Sequence, residues 1–415
     1  MAPGPDIGAF TSAGNRYGSL NQDYVEVWRP EAAGAAAPGG GAAAPLLIGA
    51  VLDGHGILGE SAARTGGAAV VRELRRLVGL CGGGGGKGAG GKWEGANGAA
   101  DAVGGGAHAG AAGGDGGAGR ETGSSGAATA GPRSSGGGDS PAGGAAAPRP
   151  PLVGLPESEL AALVDAAFRA AHASALALYD DPPRTCSYPD ARTGAAAVYC
   201  LKPEAQGGLH VYTAPAGART AAGFRPLECG ATCTVALLQG RRLVVGNVGD
   251  SSAVLGSLDD EGGVTARLLT RQHCGLHPEE AARIEAGYAG RVRILPNDGY
   301  MSVSAPSLWA GYELGVTRAL GHKHMESFGV LHSPSVAVVD LRPEDCCVVL
   351  ASDGVWDVME PREVVNRVMD SLSDGKGPAA AARQLVEDAI ALAQGAPGGD
   401  ADNTSAVVIA LPLGG

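Results

Sequence analysis

The stretch VALLQGRRLVVGNVGDSSAVLG, residues 235–256, decides the fold class. It holds two or three short apolar runs rich in Val and Leu, joined by short turns. Runs of this length with frequent β-branched residues read as strands, and strands that follow one another through short turns favour antiparallel sheets. The same pattern recurs on both sides, at Leu46–Leu52, Thr232–Leu238, Leu243–Val248, Val336–Val339, Cys346–Ala351 and Ser405–Leu411. Helical spacing lies between some of these runs. Leu160, Leu163, Val164, Ala167, Phe168 and Ala171 share one face of a helix expected over Ser158–Tyr179, with Ser158 as its cap. Further helices are expected at Pro361–Ser371, with Pro361 in the first turn, and at Ala379–Gln394. Strands outnumber helices, so the expected class is a layered α+β domain. No repeat of 20 to 50 residues is present.

Composition narrows the part of the chain that can form this domain. Of 415 residues, 81–150 are almost all Gly, Ala, Ser and Pro and hold 27 of the 71 glycines. Such a segment buries too little apolar surface to offset the entropy of ordering it, so it is expected to be a disordered insertion within a single domain. Roughly 340 residues remain, enough for one large core. Residues 181–222 carry five prolines and little periodicity, and are expected to form a second, irregular loop. The formal charge of −12 argues against a nucleic-acid grip, which needs clustered Lys and Arg. A phosphate-handling site in so acidic a chain would need metal cations. No run of 18 or more apolar residues occurs, and MAPGPDIGAF lacks the charged and apolar regions of a signal peptide. A soluble, intracellular protein of the cytoplasm, the nucleus or both is therefore expected. The eight cysteines have no CxxC pairs and no zinc-site spacing, and are expected to be reduced thiols.

Three acidic signatures fall at strand tips: VLDGHG at 51–56, ASDGVWD at 351–357 and DADNTS at 400–405. A hard divalent cation takes several oxygen ligands, and carboxylates gathered from distant strand ends can supply them. Asp53, Asp353 and Asp402 are the first-choice ligands. Gly54, next to Asp53 and without a side chain, lets a backbone carbonyl approach a metal closely. Taken singly, DG and DN are also ordinary turn dipeptides. Their joint occurrence favours the metal reading.

In order along the chain stand NQD (21–23), DGHG (53–56), ECGATCTVAL (228–237) followed by VGNVGDSSAVL (245–255), HPEEAARIEAG (277–287), VTRALG (316–321), SDGVWDVM (352–359) and ADNTSAVVIAL (401–411). This ordered set resembles the PPM-type, or type 2C, family of metal-dependent serine/threonine phosphatases, over nearly everything outside the two insertions. The resemblance implies a four-layer α-β-β-α sandwich of two antiparallel sheets flanked by helices. It further implies a site for two Mg2+ or Mn2+ ions, with a weaker third, a phosphoprotein as substrate, and a monomer with no nucleic-acid partner and no membrane span. Position by position, Asp53 would bridge the two metals, Gly54 would ligate one through its carbonyl, Asp353 and Asp402 would complete the other, and Asp23 would serve the first through water. Asp250 matches the position that helps hold the third metal, and is otherwise a turn residue between two strands. His55 matches the presumed acid that protonates the leaving alkoxide, a task suited to an imidazole. The implied reaction is in-line attack on phosphorus by metal-activated water, without a covalent phosphoenzyme.

Several positions depart from the family. Arg16, the nearest candidate for the phosphate-binding arginine, stands farther from NQD than in the animal enzymes, and is either a phosphate ligand or an exposed charge. Gln22 stands where some members have Glu. His322 follows RALG where the family commonly has Asp, a change expected to alter local hydrogen bonding or metal preference. Arg318 is expected to brace the site through an ion pair, and Gln272, His273 and Cys274, in place of the usual DHK, to be a surface change. The main alternative is a catalytically impaired phosphatase fold that serves as a binding or scaffold protein, but such a domain has no physical need for so costly a cluster of like charges. A hydrolase of nucleotides is disfavoured by the lack of a GxxxxGK[ST] loop.

Overall fold

The computed structural model describes residues 4–18, 20–30, 46–79, 152–189, 196–202, 210–213 and 225–412. The Gly/Ala-rich segment 81–150 lies outside them. Two five-stranded antiparallel sheets form the centre. One has the order β1 (Asp6–Ser12), β20 (Thr404–Ala410), β19 (Asp345–Ala351), β12 (Ser252–Leu258), β13 (Val264–Leu268). The other runs β18 (Ser335–Asp340), β11 (Arg242–Val248), β10 (Cys233–Gln239), β3 (Leu46–Leu52), β2 (Tyr24–Trp28). All six expected strands are present to within one residue at each end.

Why these strands read as unbroken apolar runs follows from the layers. Along β3, Leu46, Ile48, Ala50 and Leu52 face a helix layer, whereas Leu47 and Val51 face the other sheet. On β19, Cys347, Val349 and Ala351 face helices, and Val348 and Leu350 fill the space between the sheets. A strand covered on both faces has no solvent side to mark with polar residues. The first helix layer is α1 (Gly59–Leu77) against α2 (Glu157–Leu176). The second is α5 (Pro361–Ser373) with α6 (Pro378–Gly395). The outcome is the expected α-β-β-α sandwich.

Three differences have local causes. Helix α1 was not expected, because Gly66 and Gly67 interrupt its pattern; they sit where α1 lies closest to the sheet, and a Cβ on Gly67 would fall 2.7 Å from the Tyr24 ring. Helix α2 starts at Glu157 after Pro156, with no side-chain cap, so Ser158 is not the cap. Although α2 with its following turn is long and apolar enough to cross a bilayer, Val164 and Phe168 are fully buried in the core. The segment expected to be an irregular loop is partly ordered as sheet: β5 (Thr185–Pro189), β6 (Ala196–Lys202) and β7 (Val211–Thr213) pair antiparallel and continue to β8 (Arg225–Pro226). Tyr199 and Tyr212, fully buried, supply the apolar contact that outweighs the prolines.

Two smaller sheets frame one edge of the sandwich. The sheet of β4 (Gly54–Gly56), β9 (Cys229–Ala231) and β17 (Leu320–Gly321) crosses it directly. A lobe of α3 (Pro278–Tyr288) with β14 (Val292–Ile294), β15 (Met301–Val303) and β16 (Glu313–Leu314) has its own small core. Its anchor is Glu280, almost fully buried, which takes Arg318 at 2.5 Å and Arg283 at 2.7 Å and accepts from Thr317 Oγ1 at 2.7 Å. Arg318 thus makes the expected ion pair, but with Glu280 of this lobe and not with a residue that lines the cleft. The seven described cysteines are unpaired.

Candidate metal centre and active site

Five segments far apart in sequence end at the same edge of the sandwich and wall a cleft of about 490 Å³ lined by Asp53, Gly54, His55, Asp250, Asp353, Asp402 and Arg16. Asp53 leaves the tip of β3, its N–H donating to Thr232 Oγ1 at 2.9 Å and its carbonyl accepting from Thr232 N–H at 2.9 Å. Gly54 opens β4 with no room for a side chain, since a Cβ would lie 2.3 Å from the Gly59 carbonyl oxygen and 2.6 Å from that of Gln22. Asp250 sits in the turn between β11 and β12. Asp353 begins the four-residue helix α4 (Asp353–Trp356) directly after β19. Asp402 precedes β20.

Asp23 stands behind the others, nearly inaccessible, with Oδ2 accepting from Ser352 Oγ at 2.8 Å. Ser352 Oγ also accepts from Ser405 N–H at 3.0 Å, so one buried hydroxyl links NQD, SDG and DNTS. Nothing in the sequence pattern singles out Ser352. Gln22 is a clamp: its Nε2 donates to the Gly56 carbonyl at 2.9 Å, a bond a glutamate could not make. Arg16 is brought in by a loop zipped to the opposite strand end, with Asn15 and Arg16 N–H donating to the Ala401 carbonyl at 3.0 and 2.9 Å. Its guanidinium pairs with Asp402 at 2.6 Å while remaining half-exposed to the cleft.

The electrostatics are those of like charges held together. Burial and then Asp53 push Asp23 well above the usual carboxylate range. Burial, Asp53, Asp250 and Asp402 do the same to Asp353. Asp402 is raised by burial and Asp53 against the pull of Arg16. Asp250 is raised to about 6 by burial, opposed by His55. Oxygens Oδ1 of Asp23, Asp250 and Asp353 are buried without a hydrogen-bond partner. Unpaired buried carboxylate oxygens, hard donors converging with a backbone glycine, fit an Mg2+- or Mn2+-type cation rather than a softer metal.

His55 points its Nε2 at Asp53 Oδ2, 3.5 Å away. Burial favours the neutral ring, but Asp53 and the other carboxylates outweigh it and raise the imidazole to about 9. Glu228, which sequence reasoning missed, lines the cleft and is 1% exposed, held by His322 and His324. His273 is not a surface change: it is buried, its Nδ1 accepting from Gly249 N–H at 3.2 Å and its Nε2 meeting Ser335 Oγ at 2.8 Å, which fixes the turn that carries Asp250.

Among the described residues a second group with ligand chemistry lies elsewhere: His172, Glu326 and His332. His172 Nδ1 accepts from Gly321 N–H at 3.1 Å, so the ring proton sits on Nε2 and faces Glu326 Oε1 at 2.9 Å. That nitrogen is a donor and not a metal ligand; the group ties α2 to the 320–332 segment.

Comparison with known proteins bears on this arrangement. A profile of the family described as "Protein phosphatase 2C" matches residues 162–396. A rice (Oryza sativa subsp. japonica) protein, "Probable protein phosphatase 2C 12", is 40% identical over 146 residues, covering 34% of this chain and 37% of the relative. "Probable protein phosphatase 2C 52" of Arabidopsis thaliana is 37% identical over 170 residues, covering 39% and 34%. The chain thus spans about a third of the length of these curated relatives. The solved structure of serine-threonine phosphatase 2C from Toxoplasma gondii superposes with a TM-score of 0.59 at 19% identity, covering 99% of this chain and 96% of that one, which speaks for the fold alone. Since the profile runs across more than half of the chain, the protein belongs to the protein phosphatase 2C family.

Proposed function

We propose that this protein is a metal-dependent serine/threonine protein phosphatase acting on phosphoserine and phosphothreonine in proteins. The observation that carries the proposal is the convergence of Asp53, Asp250, Asp353 and Asp402 from four strand ends in one cleft, where one oxygen each of Asp250 and Asp353 is buried without a hydrogen-bond partner among the described residues. Asp53, the Gly54 carbonyl, Asp353 and Asp402 would hold two Mg2+ or Mn2+ ions, with Asp23 behind them and Asp250 beside a weaker third. Such ions supply an acidified water as nucleophile and positive charge against the phosphoryl oxygens.

The protein's own groups do the rest. Arg16, half-exposed and anchored by Asp402, presents a planar fork to a phosphate entering the cleft. His55 lines the same cleft beside Asp53 and would donate the proton that lets the serine or threonine oxygen leave as an alcohol. Gln22 and Asn403 fix the loops beneath: Asn403 Oδ1 accepts from Gln22 N–H at 2.8 Å and its Nδ2 donates to the Leu20 carbonyl at 3.0 Å.

The test is phosphate release from a phosphothreonine peptide in EDTA, Mg2+ or Mn2+, beside Asp53→Ala. Turnover that requires metal and falls by about a thousandfold in the variant supports the reading. Folded wild-type protein inert with every metal would overturn it in favour of a phosphoprotein-binding scaffold.

A further inference from the structure

His322, the residue that replaces the family's usual aspartate, is fully buried and holds a left-handed backbone with φ of 53°. Its N–H donates to the Cys229 carbonyl at 2.7 Å, and its own carbonyl accepts from Met325 and Glu326 N–H at 2.9 and 3.2 Å, so the backbone is locked. The side chain runs back over β9, where its Nε2 edge lies against Gly230. A Cβ there would fall 2.2 Å from His322 Cδ2 and 2.7 Å from Nε2. Gly230 is the ladder partner of His55. His55 on β4 and His322, directly after β17, therefore flank β9 from either side, and their ring centroids stand 6.0 Å apart.

Each ring has one nitrogen engaged and one buried without a partner. His322 Nδ1 meets Glu228 Oε1 at 3.3 Å, leaving Nε2 unpaired. His55 Nε2 faces Asp53, leaving Nδ1 unpaired. Two unpaired buried nitrogens on adjacent rings are costly unless something joins them. With the ring centroids 6.0 Å apart they are too far apart for one direct hydrogen bond, and a single water can bridge two such nitrogens across a gap of about 5–6 Å.

We infer that His322 is a positioning residue for His55: Glu228 holds His322 through Nδ1–H, and His322 Nε2 accepts, through one buried water, the Nδ1–H of His55. The direction follows from Glu228, a carboxylate kept ionised against its burial by hydrogen bonds from His322 and His324, and from burial that keeps His322 neutral with a single ring proton. His55 is thereby fixed with Nδ1 as a standing donor and Nε2 as the nitrogen that faces the substrate. The inference rests on the proposed phosphatase reading only in what the orientation is for. It does not depend on the charge of His55, since Nδ1–H is present both before and after Nε2 gives up its proton.

The decisive variant is His322→Asn. Asparagine tolerates the left-handed backbone, its amide reaches the position of Nδ1 and so Glu228, and it offers nothing at the position of Nε2. A second variant, His322→Gln, carries its amide oxygen toward the position of Nε2. Two substrates separate the roles: a phosphothreonine peptide, whose alkoxide must be protonated to leave, and p-nitrophenyl phosphate, whose phenolate leaves unaided.

For His322→Asn the ratio of kcat on peptide to kcat on p-nitrophenyl phosphate is expected to fall about ten- to a hundredfold, with peptide KM within about twofold, and His322→Gln is expected to recover part of the ratio. An unchanged ratio, or an equal loss on both substrates, overturns the inference. A separate readout comes from long-range 1H–15N spectra of histidine-labelled protein. These are expected to show a slowly exchanging Nδ1–H on His55 that is lost in His322→Asn but not in wild type. If wild-type protein hydrolysed neither substrate, the phosphatase reading would fall while these spectra still decide the hydrogen bond: a His55 Nδ1 without that proton would overturn it.

Discussion

Asp250→Asn removes one charge from the cleft and leaves the outline of the side chain as it was. Burial lifts the Asp250 carboxyl from 3.8 to about 6, with Asp53 adding to the shift and His55 opposing it. A carboxyl whose folded pKa lies above its unfolded value favours folding when protonated. That contribution is whole below pH ~4 and is lost as pH rises through about 6. Above that window wild-type protein without metal carries a penalty of about two pKa units, or ~3 kcal/mol. Residual solvent contact at the half-buried side chain reduces this to about 1–2 kcal/mol. In EDTA at pH 8 the variant is therefore expected to be about 1–2 kcal/mol more stable than wild type by urea unfolding, and the two should converge near pH 4. Millimolar Mg2+ or Mn2+ should stabilise wild type more than the variant, narrowing or reversing the gap. A variant no more stable than wild type at pH 8 in EDTA would show that the carboxylates are not in electrostatic conflict, and would remove the physical basis for reading them as a cation site.

Further outcomes can be measured on the same protein. Ser352→Ala leaves the Ser405 N–H and Asp23 Oδ2 without their shared buried hydroxyl and should cost about 2–4 kcal/mol in thermal unfolding, well above the effect of a surface serine. Arg16→Ala should change stability by less than about 0.5 kcal/mol, because the Arg16–Asp402 pair is half-exposed, yet raise the KM for phosphopeptide about tenfold in steady-state kinetics. Glu280→Gln should cost about 3 kcal/mol at pH 7 in denaturant unfolding. Burial works against the Glu280 carboxylate, but Arg318, Arg283 and Thr317 hold it down to about 2, so the stability it supplies is present above pH ~4.5 and fades as pH falls toward 2; a loss that stayed constant from pH 7 to pH 2.5 would contradict this.

The central strands were legible because burial on both faces writes an apolar run that no helix of that length would show. Helix α1 was not, because the closeness of α1 to the sheet demands Gly66 and Gly67, residues that read as breaks in a helical pattern. The β5–β8 sheet was hidden for a related reason: its stability comes from Tyr199 and Tyr212 packing on Leu227 and Ile57, contacts with no local periodicity. At the site, Asp53, Asp353 and Asp402 could be picked out as acids at strand ends. The groups behind the cleft could not: Ser352 meets Asp23, and Glu228 meets His322, only through pairing of distant segments. His273 was misjudged because a polar side chain that replaces its lost water bonds with Gly249 and Ser335 looks, in sequence, like any surface histidine.

The pairing of β1 with β20 sets Asp6 opposite Ala410, and the hydrogen bonds from Asn15 and Arg16 to Ala401 continue that seam into the cleft. During synthesis at roughly 5–20 residues per second, tens of seconds separate the appearance of β1 from that of its partner. Throughout that interval β1 has no edge to join, Arg16 has no Asp402 to meet, and the carboxylate set lacks a member. Nascent chains, and any chain broken off before residue 402, thus lack a carboxylate of the chemistry proposed for the finished domain: the seam whose second half is synthesised last is also the one that brings Asp402 to the site.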